Sequence, residues 1–132
     1  MSAANCETVL ITGASSGIGL ELAKCFAADS SRLVLVARNQ DTMEKLAEEL
    51  RRKNKIEVIV VTADLSLPET PKRIFQELSA RNIFVDVLVN NAGFGLHEAF
   101  VKLPLQRQLE IIQVNVTALT ELTGLFLPEM IR

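Results

Sequence analysis

Four stretches of the chain, 8–12, 33–37, 58–62 and 85–89, are rich in Val, Ile and Leu with little polar alternation. That is the pattern of strands covered on both faces. Between and after them, apolar positions recur at helical spacing over 18–28, about 41–53, about 68–80 and a long stretch from about 104 to 131. Strand followed by helix, four times over, predicts an α/β fold built on a parallel sheet. No internal linker, low-complexity tract or repeat interrupts the alternation.

The second helix shows its period well. Met43, Leu46, Ala47 and Leu50 share one face, while Glu48 with Arg52 and Glu49 with Lys53 are spaced for i,i+4 pairs on the solvated side. Ser66 and Pro68 mark the expected start of the third helix. The final pattern is different. Leu109, Ile111, Ile112, Val114, Val116, Leu119, Leu122, Leu125, Phe126 and Leu127 spread over more than one stripe. One side can pack on the sheet; the other needs a further element or another subunit, so the helix over 104–131 is the expected homo-oligomer contact.

Composition narrows the function. The 132 residues suit one domain, with 48% hydrophobic and 23% charged residues. A net charge of -2 and one short basic run, Arg51 to Lys55, argue against a nucleic-acid partner. The first residues lack a signal pattern, and no unbroken apolar run approaches the roughly 20 residues of a membrane span. A cytoplasmic protein with no membrane partner is therefore expected. Cys6 and Cys25 have no metal-binding spacing and are expected to be reduced thiols.

The candidate chemistry sits where the first strand pattern meets the first helix: Gly13-Ala14-Ser15-Ser16-Gly17-Ile18-Gly19. The spacing is neither G-x-G-x-x-G nor a P-loop, which would end in Gly-Lys-Ser/Thr. The mechanics still suit a phosphate: Gly13 for a tight turn, Gly17 for close backbone approach to a diphosphate, Gly19 for close packing. Free N–H groups at the helix start would face the anion. An ordinary glycine turn is the bland alternative. Arg38 ends the second strand, where NAD enzymes place an acid for the ribose 2′-hydroxyl. A guanidinium there fits a 2′-phosphate, favouring NADP over NAD. Asp41 could instead reach the ribose or cap the second helix, and Arg38 could be an exposed loop charge.

Taken together, Thr12-Gly-Ala-Ser-Ser-Gly-Ile-Gly19, Ala63-Asp64-Leu65, Asn90-Asn91-Ala92-Gly93 and Asn115 resemble the short-chain dehydrogenase/reductase family over nearly the whole chain. The resemblance implies a doubly wound, Rossmann-like sheet with strand order 3-2-1-4 here, and NADP-dependent hydride transfer to a carbonyl or from a secondary alcohol. It implies that 13–19 hold the diphosphate and adenosine ribose, with Ser15, Ser16 and Arg38 near the 2′-phosphate. Asp64 and Leu65 would meet the adenine; Asn91, Ala92 and Gly93 would line the cofactor, with Asn90 either joining them or fixing backbone. Asn115 matches the asparagine that supports a water chain to the catalytic lysine. The bland alternatives are a turn acid for Asp64 and a buried, backbone-satisfied polar group for Asn115.

The family moves its proton with a Ser, a Tyr and a Lys, the last two spaced Tyr-x-x-x-Lys. This chain has no Tyr and no Ser beyond Ser79. His97 could substitute as an acid or be a simple loop histidine. Residues 1–132 are thus expected to be the N-terminal, cofactor-binding part of one domain whose catalytic part is absent, and inactive alone. The alternative is a non-catalytic dinucleotide-binding or dimerising regulatory fragment.

Overall fold

The computed structural model describes residues 6–132. Four parallel strands, β1 (Thr8–Thr12), β2 (Arg32–Ala37), β3 (Val58–Thr62) and β4 (Val87–Val89), form one sheet in the order β3-β2-β1-β4. Val9 pairs with Leu33 on one side and Val87 on the other, and Leu33 continues to Val58. The chain reverses its direction of winding between β1 and β4, which opens a crevice beyond their C-terminal ends.

Alternate strand residues divide between two cores. Val9, Ile11, Leu33 and Leu35 pack with Ala23 and Ala27 of α1 (Gly17–Ala28) and with Met43, Leu46 and Leu50 of α2 (Gln40–Asn54). Leu10, Val34 and Val36 face the opposite layer, α3 (Thr70–Ala80) and the long final helix, with Ile74, Leu78, Leu122 and Phe126 buried among them. Phe75 and Phe126 meet edge to face, centroids 5.1 Å apart. Apolar cover on both faces explains the unbroken Val/Ile/Leu runs of the strands.

Several boundaries differ from the sequence expectation for local reasons. Asn39, rather than Asp41, caps α2: its side chain accepts the Thr42 N–H at 3.0 Å, and Asp41 lies in the first turn. The third helix starts at Thr70 with Pro71 in its first turn, because Ser66 and Leu67 are spent in a turn around Asp64. The fourth strand is short because Asp86 ends the pairing: its carboxylate accepts the Thr8 N–H at 2.8 Å, leaving Ile83 and Val85 to fill the core. Glu48/Arg52 and Glu49/Lys53 form no ion pairs among the described residues. Arg51 instead donates through Nε to the Val58 carbonyl at 3.2 Å, tying α2 to β3.

The long apolar pattern is one helical rod, Leu105–Ile131. It comprises α4 (Leu105–Ile112), a π-helical segment (Gln113–Ala118) and α5 (Leu119–Ile131). No unbroken apolar run reaches membrane-span length, yet the rod as a whole is long and apolar enough to cross a bilayer by length and composition. Its Ala118, Leu122 and Phe126 face is committed to the sheet core.

Candidate functional site

At the C-terminal ends of the strands lies a cleft of about 850 Å³. Its floor is the turn after β1. Gly13 and Gly17 both have positive φ, +66° and +58°, the left-handed region that glycine enters without a Cβ penalty. No atom lies within 4 Å of where a Gly17 Cβ would sit, so this backbone is open to close approach. Gly19 is buried, and a Cβ there would collide with the Gly13 carbonyl and the Asn91 carboxamide. Its close packing is thus against the loop and the β4 tip. Ser16 sits at the N-cap of α1 without a side-chain cap bond, and no acid occupies the first turn. The first-turn N–H groups keep their positive end for an external anion.

Most expected site residues converge here. Gly13, Ser15, Ser16, Gly17 and Ile18 line the cleft with Arg38, Asp64, Leu65, Asn91, Ala92 and Gly93. Ala14 and Gly19 are buried behind the loop instead of lining it. Ile18 is 73% exposed at the rim. Asp41 does not line the cleft, whereas Arg38 and Asn39 do.

Asp64 is a turn acid that also faces the cleft. Its Oδ1 accepts from Ser66 N at 2.9 Å and Ser66 Oγ at 2.7 Å. Partial burial pushes this carboxyl upward, but the two Ser66 hydrogen bonds and the Arg38 charge together hold it below the ordinary aspartate value. Asn91, rather than Asn90, fixes the glycine loop, its Nδ2 donating to the carbonyls of Thr12 and Gly13 at 3.1 and 3.2 Å. Asn90 turns to the other layer and donates to Thr123 Oγ1 at 3.0 Å.

Asn115 is outside the cleft lining and clasps one residue of the next loop. Its Oδ1 accepts Phe94 N–H at 3.0 Å and its Nδ2 donates to Phe94 O at 2.8 Å. It is satisfied by backbone, although exposed rather than buried. The π-helical segment around it shifts the helix register locally, a device common where a side chain has to be re-aimed. His97 is exposed in the loop after β4 and lies outside the cleft lining.

Three further residues shape the site: Thr12, which the glycine motif includes without giving it a role, and Arg107 and Glu110, which no motif marks. Thr12 is buried with its hydroxyl at the junction of β1 and β4, accepting Asn91 N–H at 3.0 Å and Ala92 N–H at 2.9 Å. Its place at the end of the strand run, beside the first glycine, was the available signal. Arg107 and Glu110 on α4 line the cleft beside Phe94. Nothing in their spacing distinguishes them from a solvated helix face.

Comparison with known proteins agrees with this geometry. Residues 7–132 match the short chain dehydrogenase family. The chain is 36% identical over 129 residues to dehydrogenase/reductase SDR family member 7B of Bos taurus, covering 94% of this chain and 40% of that protein. It is 34% identical to the NADP-dependent 3-hydroxy acid dehydrogenase of Schizosaccharomyces pombe, covering 97% and 50%. Among solved structures, an alcohol dehydrogenase from Thermococcus sibiricus complexed with 5-hydroxy-NADP superimposes with a TM-score of 0.88 at 33% identity, covering 96% of this chain and 54% of that one. A short-chain dehydrogenase from Sphingobium yanoikuyae in complex with NADPH gives 0.84 at 39%, covering 92% and 47%. The chain therefore spans about half the length of these relatives, or less. With the glycine turn, the Asp64 turn and the Asn91 anchor gathered at the β1/β4 crevice, the chain belongs to the short-chain dehydrogenase family.

Proposed function

We propose that this chain forms the NADP(H)-binding half of an oxidoreductase that exchanges hydride between the nicotinamide and a carbonyl or secondary alcohol. The observation that carries the reading is the end of β2: Arg38 is exposed and lines the same cleft as Ser15 and Ser16, while Asp41 does not. A guanidinium and two hydroxyls suit a 2′-phosphate; an NAD site would want a carboxylate there. Relatives named or crystallised with NADP(H) support the same choice.

The residues present fit the cofactor. The open backbone at Gly17 and the uncapped start of α1 would take the diphosphate. Leu65 and Asp64 would receive the adenine, and Ala92 and Gly93 would wall the cleft, with the Ala92 N–H held by the Thr12 hydroxyl. When bound, the reduced nicotinamide supplies the hydride. The 132 residues contain no Tyr to supply the proton in the family's manner, so the polypeptide tested as such is expected to bind without turnover.

Calorimetry of the 132-residue chain with NADP and NAD tests this. NADP should bind at least about tenfold more tightly, and Arg38→Ala should erase the difference. No heat with either ligand on a folded sample defeats the proposal, and reduction of a ketone by the purified chain defeats the inactivity.

A second reading, a non-catalytic binding fragment that pairs through its final helix, is supported by exposed apolar side chains on Leu105–Ile131, among them Leu109, Ile112 and Val116.

A further inference from the structure

The cleft lining holds two guanidiniums, and they stand on opposite flanks of β1. Arg38 directly follows β2 on one side; Arg107 comes from α4, after β4, on the other. The glycine loop lies between them. Two carboxylates, Asp64 and Glu110, accompany them, so the four charged side chains of the lining sum to zero.

Arg107 is held in a defined place although 44% of its side chain is exposed. Its guanidinium carbon lies 5.2 Å from the centroid of the Phe94 ring, and its Nη1 lies 3.0 Å from Glu110 Oε2. Phe94 is in turn gripped at both backbone groups by Asn115. A guanidinium stacked on an aromatic face keeps its N–H donors at its edge, free to bond an anion in plane.

We infer that Arg107 is a second phosphate-reading arginine, contacting the diphosphate of the dinucleotide from the β4 side, and that Glu110 positions it and competes for it in the ligand-free chain. The inference rests on the NADP(H)-binding reading and adds a residue to it. Arg38 and Arg107 then divide the phosphates. Arg38 distinguishes NADP from NAD, whereas Arg107 serves the part common to both.

Calorimetry of the full 132-residue chain with NADP and NAD at low and high salt separates the outcomes. Arg107→Ala should weaken both ligands by about tenfold, leave their ratio unchanged and flatten the salt dependence. Glu110→Gln should strengthen both by a few-fold, since a competing carboxylate is gone. Unchanged affinity in Arg107→Ala overturns the inference. So does lost affinity with the original salt dependence, which would mean that Arg107 only steadies the loop. If Arg107→Ala does not fold, Glu110→Gln decides: unchanged or weaker binding overturns the inference. An Arg107→Ala result as expected, with no change of ligand preference in Arg38→Ala, would defeat only the NADP assignment. Wild type binding neither ligand would defeat both.

Discussion

The hydroxyl of Thr12 accepts the backbone N–H of Asn91 at 3.0 Å, and the carboxamide of Asn91 donates back to the Thr12 carbonyl at 3.1 Å. This reciprocal pair, 79 residues apart in sequence, locks the ends of β1 and β4 side by side where the cleft opens. Thr12→Val keeps the shape but leaves the Asn91 and Ala92 N–H groups without their acceptor. We expect a loss of about 1–3 kcal/mol in urea unfolding, the cost of unsatisfied polar groups, and weaker dinucleotide binding. Thr12→Ser should recover most of both. Equal stability of the Val variant would show that the hydroxyl holds nothing together.

The glycines of the loop should respond in a definite order. A Cβ on Gly19 meets backbone and an anchored carboxamide, neither of which can swing away, whereas one on Gly17 meets nothing. Gly17→Ala carries the penalty of its positive φ, about 1–2 kcal/mol. Gly19→Ala should cost more, despite the helix propensity that alanine adds at a position inside α1. Chemical denaturation of both variants checks the order; Gly19→Ala proving the milder change would contradict the packing described here.

The strands and helices were legible because they rest on unbroken apolar runs and on glycine punctuation that backbone geometry itself demands, whereas the sheet order 3-2-1-4 came from the family resemblance. The differences lie where side-chain hydrogen bonds decide. Asp41 was the expected cap, but the helix begins one residue earlier, at Gln40, which gives the cap to Asn39. Adjacent Asn90 and Asn91 point to opposite faces, so which one anchors the glycine loop depends on the phase of a strand only three residues long. Arg107 could not be found from sequence, since its significance comes from Phe94 and the cleft rather than from its neighbours on α4.

Asp64 makes the site sensitive to acid. Its carboxyl is held below the ordinary aspartate value, so the hydrogen bonds from Ser66 and the nearby Arg38 charge favour the ionised form of the folded chain. For a depressed carboxylate, the stabilisation is complete above the unfolded-state value and disappears as pH falls through the folded-state value. Between neutral pH and about pH 5 no change from this group is expected. Below that, the stability difference between wild type and Asp64→Ala should shrink. Carbon NMR titration of the Asp64 carboxyl gives the direct check, and a midpoint above the ordinary aspartate range would reverse the sign.

The last expectation concerns the outer face of the long helix. Leu105, Leu109, Ile112, Val116 and Leu119 are all exposed, and their spacing alternates four and three residues. That is the spacing of a helix-pairing seam, while the flanking Ala118, Leu122 and Phe126 are turned to the core. Water contact along such a stripe is costly, at roughly 25 cal/mol per Å² of apolar surface, so copies of the chain should pair along it at high concentration. Sedimentation velocity should show association that rises with concentration and survives high salt, because its drive is apolar. Replacing Ile112 and Val116 together by Glu should return the chain to monomers with its unfolding transition intact, since both side chains are more than half exposed, at 51% and 56%. A wild-type chain that stays monomeric across the accessible range would refute pairing through this face.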